Sequence, residues 1–320
     1  MHSVTENPIG KKEGLLSIYR DVCCHEEQVV NGEATSLLPD GRRFRLVWHD
    51  EFNGDSLDVS KWGYRLNFWG RRAPWYATPE DQAVEVKDGK VHLKIIRRTD
   101  GQLASPQLQT GELLWDYPQE RVDGRLWFLP PRRPPKFTHA LGYYECRCRL
   151  QQEPGWWSAF WMQTETQGAN LDPARSGIEH DIMESFEPGL VAPHAFHYNG
   201  YGDDYRTFNS TYVYDREQEI GRDITPVDKS VFHTFALLWE PTGYTAFIDG
   251  RPSGHRLGMR GQGKYQEAVS LVPEFILLST EVNGFRNPAK DHPPLADSVR
   301  AAEMGDAFII DHVRVFDLDE

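Results

Sequence analysis

Apolar and polar residues alternate over short runs through most of the chain, and Gly, Pro, Asn and Asp punctuate the runs. The clearest runs are Ala83–Val86, Lys90–Ile95, Gly142–Leu150, Phe232–Pro241, Tyr244–Gly250, Phe275–Gly284 and Phe308–Phe316. A period of two is the mark of a strand with one face buried, so each predicts a β-strand. The Asp88-Gly89 pair between two of them predicts a tight hairpin. Strands do not alternate with helices, which points to an all-β antiparallel sandwich. Helical spacing stands out only at Leu15, Leu16, Ile18, Tyr19 and Val22, predicting a short amphipathic helix packed on the main domain. The expected organisation is an N-terminal extension over 1–40 and one β domain over 41–320. Residues 100–137, with the basic run Arg132-Arg133-Pro134-Pro135-Lys136, are expected to form a long insertion.

One stretch does not fit simple alternation. Glu179-His180-Asp181-Ile182-Met183-Glu184 places three carboxylates within six residues. On a regular strand Glu179 and Asp181 share a face, whereas Glu184 has the opposite parity. One extra residue looped out near Ile182 or Met183 restores it, and such bulges re-aim side chains beside active sites. With that bulge Glu179 and Glu184 lie about 13 Å apart at Cα. Side chains leaning toward each other bring the carboxyls to about 5 Å, the separation a retaining glycosidase needs. Asp181 between them can share a proton with the nucleophile and hold the two glutamates in different protonation states. The competing reading is a solvated acidic face on a surface strand.

The same six residues resemble the bulged signature of glycoside hydrolase family 16, as in laminarinases and agarases. The resemblance implies Glu179 as nucleophile, Asp181 as its assisting carboxylate and Glu184 as general acid/base. His180 departs from it, because an aliphatic residue is usual there. Its side chain is expected to point into the sandwich and to need a buried partner. Leu46-Val47-Trp48-His49-Asp50-Glu51-Phe52 resembles the opening of family domains, where the Asp50/Glu51 pair is structural. Gly155-Trp156-Trp157-Ser158-Ala159-Phe160-Trp161 resembles the family stretch Gly-x-Trp-Pro-Ala-Phe-Trp, with Ser158 in place of proline. That likeness implies Trp157 and Trp161 on the concave face, with Trp161 as a sugar platform. It further implies a jelly roll with a concave substrate cleft. Trp69, Arg71, Arg72, Trp75 and Tyr76 fall in the loop that lines the negative subsites, and His197 on the strand beside the carboxylates. Glu281 and Asn283 share a strand face and are candidates to reach the sugar. Asp311 matches an aspartate that holds a structural calcium in many members, and no cofactor is required.

Composition narrows the partners. A net charge of −13 over 320 residues argues against nucleic acid or an anionic membrane surface. No apolar run approaches the roughly 18 residues of a membrane span. The four cysteines, Cys23, Cys24, Cys146 and Cys148, sit in two close pairs that demand no oxidising compartment. Met1–Lys12 lacks a signal-peptide core. The expectation is a monomer, extracellular or periplasmic if a signal was trimmed and cytoplasmic otherwise. The function expected is a retaining endo-β-glycanase acting on a polysaccharide, either a β-1,3-glucan or a β-galactan such as agar or porphyran. Arg71, Arg72 and the basic 132–136 run favour an anionic galactan, and general frequency favours glucan. The alternative is a non-catalytic, lectin-like sandwich.

Overall fold

The alternation becomes two antiparallel sheets packed face to face. The computed structural model describes residues 24–28, 35–39, 41–68, 71–72, 76–112, 121–122, 125–126, 133–169, 172–192, 194–198, 206–209, 225–257, 269–282, 302–303 and 305–319. Among the described residues the first sheet has nine strands. Its main path runs Arg206–Asn209, Ala195–Tyr198, Glu179–Glu187, Trp156–Gln163, Phe275–Val282, Gln107–Gln109, Gly63–Tyr64. The second sheet has eight. Its path runs Arg251–Leu257, Gly243–Ile248, His233–Glu240, Gly142–Arg149, Ala307–Asp319, Lys90–Lys94, Val84–Lys87, with Arg43–Asp50 beside Ala307–Asp319. The result is an all-β sandwich of jelly-roll type. Among the described residues no helix is long and apolar enough to cross a membrane.

Inward-facing residues of the two sheets interdigitate. Tyr144, Cys146 and Cys148 from the second meet Phe160, Met162, Ile182, Ile276 and Leu278 from the first in one core cluster. Burying each such Leu, Ile or Met contributes about 1.5–3 kcal/mol. The Asp88-Gly89 hairpin forms, with φ of 52° and 66°, the paired positive values a type I′ turn needs. Cys146 and Cys148 are free, and burial pushes the Cys146 thiol well up, the setting of an inert core thiol.

The outer face of the second sheet is also covered. The strand Ser36–Pro39 lies against it, inserting Leu38 among Tyr143, Leu238, Phe247 and Phe316. Leu37 N–H donates to Glu145 Oε2 at 2.9 Å, and Tyr143 Oη donates to the Leu37 carbonyl at 2.6 Å. Beneath this strand the fully buried Arg314 makes a bidentate pair with Glu51, at 2.9 and 2.8 Å, and donates to Ser36 Oγ. Asp50 accepts from Trp62 Nε1 at 2.7 Å. The Asp50/Glu51 pair therefore anchors the second sheet.

Two expectations meet the structure differently. The helix expected around Leu15–Val22 lies outside the described residues. The stretch 100–137 is not a single insertion, because Gln107–Gln109 pairs with both Phe275–Val282 and Gly63–Tyr64 inside the first sheet. Its polar–apolar–polar order, Gln107-Leu108-Gln109, places Leu108 in the core and both glutamines on the other face.

His194 sets an acid limit on this fold. It is buried with Nε2 2.9 Å from Ser253 Oγ, and burial depresses its pKa to about 4, against a weaker upward pull from the Ile182 backbone. In the unfolded chain it takes up a proton near pH 6.5, but in the folded chain only near 4. The unfolded state therefore binds more protons between those values, and stability falls as pH is lowered through that window. Burial would lower His312, but Asp311 and Glu145 raise its pKa, so its contribution to stability is retained on the acid side and adds nothing to the loss. Chemical denaturation at pH 7 and 4.5 should show His194→Gln losing about 2 kcal/mol less than wild type over this interval. Equal losses would show that His194 does not set the limit.

Candidate active site

Gly177 leads into the carboxylate strand with φ of +73°, and a Cβ there would lie 2.2 Å from Thr164 Cγ2. Only glycine meets both conditions without strain. The short helix Pro173–Ser176 before it is capped by Asp172, whose side chain accepts from Ala174 N–H.

Across the ladder Trp161 faces Asp181, but Phe160 faces Met183, so Ile182 has no opposite residue. Ile182 is the bulge. Both Ile182 and Met183 consequently enter the core cluster, although they are neighbours in sequence. The skipped residue restores parity, and Glu184 lies opposite Ala159 as Asp181 lies opposite Trp161. Ala159 and Trp161 share a face, so Glu179, Asp181 and Glu184 also share one. Each is 6% exposed, recessed on the face away from the core.

Neighbouring strands hold these carboxylates in place. Gln163 Nε2 donates to Glu179 Oε2 at 2.8 Å, and buried Arg65 donates to Gln163 Oε1 at 2.7 Å. His197, opposite Glu179, brings Nε2 to 2.7 Å from Asp181 Oδ2. One ligand atom each from Glu179, Asp181 and His197 lie within 4.8 Å of one another. On the next strand Glu281 accepts from Tyr76 Oη and Gln107 Nε2, both at 3.1 Å.

The aromatic residues divide by exposure. Trp161 is 4% exposed, donates Nε1 to Ser279 Oγ at 3.0 Å and carries the Arg65 guanidinium 5.1 Å from its ring centroid. It packs with Tyr76, Ala159, Phe275 and Leu277 as the floor of the site. Trp157 is only partly buried, and its ring stands 4.5 Å from that of Phe186, two residues beyond Glu184 on the same face. That pair offers the more open aromatic surface.

The remaining candidates separate as follows. Arg71 and Arg72 form a short strand with Asn67–Phe68, and their side chains lie outside the described set. Trp69, Trp75 and Asn283 are also outside it. Asp311 is engaged by cationic side chains. Arg147 Nη1 donates to Asp311 Oδ2 at 2.5 Å, and Lys90 Nζ lies 3.6 Å from Oδ1. Burial alone would raise this carboxyl, but His312 and Arg147 bring it down to about 2. Calcium needs six to eight oxygens, and a carboxylate held by two cations does not supply such a set.

Sequence reasoning missed Gln163, Arg65 and Gln107. Gln163 carried a signal, since it lies two residues beyond Trp161 and shares its face. Gln107 carried the alternation described above. Arg65 carried none, because its contact with Gln163 spans 98 positions.

Comparison with known proteins bears on this arrangement. The model of Glycosyl hydrolases family 16 matches residues 131–264. Glucan endo-1,3-beta-glucosidase A1 of Niallia circulans is 24% identical over 218 residues, 64% of this chain and 28% of that protein. This chain thus spans little more than a quarter of that relative. Beta-porphyranase C of Zobellia galactanivorans is 25% identical over 287 residues, 80% of this chain and 77% of that one. The laminarinase of Rhodothermus marinus shares the fold, with a TM-score of 0.57 at 18% identity, over 88% of this chain and all of its own. The family match takes in the bulged strand and its neighbours, the curated relatives lengthen the likeness, and the sandwich agrees; over residues 131–264 the chain is similar to glycosyl hydrolases family 16.

Proposed function

We propose that this protein is a retaining endo-β-glycanase that cuts internal β-glycosidic bonds of a polysaccharide. The observation that carries the reading is the bulge at Ile182, which brings Glu184 to the face of Glu179 and Asp181. In the first step a Glu179 oxygen bonds to the anomeric carbon as its bond to the glycosidic oxygen breaks. Glu184 gives its proton to that oxygen. In the second step Glu184 takes a proton from water, the water oxygen attacks the same carbon, and Glu179 is released. Two inversions return the original configuration. Gln163 fixes one Glu179 oxygen, and the His197 contact orients Asp181 beside it. Trp157 and Phe186 border the Glu184 side, where a leaving sugar ring would stack.

The substrate is a β-1,3-glucan or a porphyran-type galactan, the two chemistries named for its relatives. Glu179→Gln and Glu184→Gln should each lower kcat by about a hundredfold to ten-thousandfold with the fold intact, since each removes a separate chemical step. Turnover near wild type in a folded variant would overturn the assignment. Reducing-end release should be measured on laminarin, mixed-linkage glucan, agarose, porphyran and carrageenan. New reducing ends with a rapid fall in chain length are expected on laminarin or porphyran. Binding without new reducing ends on any of the five would favour the lectin-like alternative.

A further inference from the structure

The face of the carboxylate strand turned away from the site carries a second polar assembly. His180, between Glu179 and Asp181, points into the core and is fully buried. Its Nδ1 lies 2.6 Å from Oε2 of Glu274, which is also fully buried. The other oxygen of Glu274 accepts from Ser270 Oγ at 2.7 Å and faces the Ile178 N–H at 3.4 Å. One carboxylate therefore grips both neighbours of Glu179, the backbone before it and the side chain after it. The imidazole is wedged edge-on between rings, with Tyr244 at 4.6 Å and Phe196 at 5.6 Å between centroids. Its Nε2 meets no hydrogen-bond partner among the described residues, so the Nδ1 contact with Glu274 is the one polar tie of the ring there.

A core layer this apolar does not need an ionisable pair for packing. Exchanging a buried pair for apolar residues of similar volume is often neutral or stabilising. The pair also acts on one part of the strand only. Ile178 and His180 flank Glu179, whereas Glu184 lies beyond the bulge and pairs with Ala192. We infer that His180 and Glu274 are positioning residues that hold the Glu179 carboxylate at its attacking distance from behind the sheet. Gln163 holds the same carboxylate from the front. This role rests on the proposed hydrolase reading and deepens it.

The test compares wild type with His180→Asn, Glu274→Gln and the double variant His180→Leu/Glu274→Leu. Circular dichroism and thermal unfolding measure the folded fraction, and kinetics are corrected for it. Each is assayed on laminarin or porphyran, whichever wild type hydrolyses, and on a 2,4-dinitrophenyl β-glycoside of the matching disaccharide. That leaving group departs without a proton, so kcat/KM on it, which ends at formation of the glycosyl-enzyme, reports the nucleophile and not Glu184. Asn places a donor near the position of Nδ1, and His180→Asn should keep kcat/KM within about threefold of wild type, well short of the loss a misplaced group produces. The double variant should fold yet lose about a hundredfold in kcat/KM on both substrates, with KM for the polysaccharide little changed, the penalty of a misplaced reacting group. Glu274→Gln should fall between them.

Three results would overturn the inference: a folded double variant with wild-type kcat/KM, a loss confined to the polysaccharide, or a loss that tracks the folded fraction alone. Absence of hydrolysis by wild type itself would strike the hydrolase reading instead.

Discussion

The site depends on a single unpaired residue. A β-strand commits its side chains to two faces, and Glu179 and Glu184 differ in parity, so a regular strand would bury one of them in the apolar core. Ile182 has no partner across the ladder, and its omission from the register turns Glu184 outward. The same step sends Ile182 and Met183 together into the core. The hydrophobic gain of seating two neighbouring apolar side chains inward therefore favours the register that gathers the acids. A slip that moved Glu184 inward would bury a charge and expose a hydrophobe, which disfavours the alternative on both counts.

Around this bulge the sandwich supplies rigid support. The strands on either side of the carboxylates contribute Gln163 and His197, and the next one contributes Glu281, itself held by Tyr76 and Gln107. Trp161 and its cluster form the floor. Behind the sheet, His180 and Glu274 tie the carboxylate strand to the core. The outer face of the second sheet is closed by Ser36–Pro39 over the buried Arg314–Glu51 pair, so residues before the β domain are part of its packing.

Most of the fold could be read in the alternation, because a strand with one face buried writes its period into the sequence. The Asp88-Gly89 turn and the long strands appear where that pattern places them. The bulge was legible for a different reason: three acids within six residues are costly unless they share the solvent-facing side. Gln107–Gln109 was harder, since three residues among Gly and Pro carry little periodicity, and only long-range pairing makes them a strand. Exposure was harder still. Trp157 and Trp161 have the same parity, yet one stays open and the other is buried by Arg65 and Tyr76 from distant parts of the chain. The cationic partners of Asp311, Arg147 and Lys90, could not be read from its neighbourhood in the sequence because they come from other strands.

The proposed double displacement requires Glu179 and Glu184 close enough for direct attack, with no room for a water between nucleophile and sugar. The configuration of the newly formed reducing end reports this most directly. Proton NMR of the first turnovers on a hydrolysed β-glycan should show the β anomer accumulating first and then mutarotating toward the α form. Initial release of the α anomer would mean carboxyls set about 6.5–9.5 Å apart with water between them, and would contradict the account.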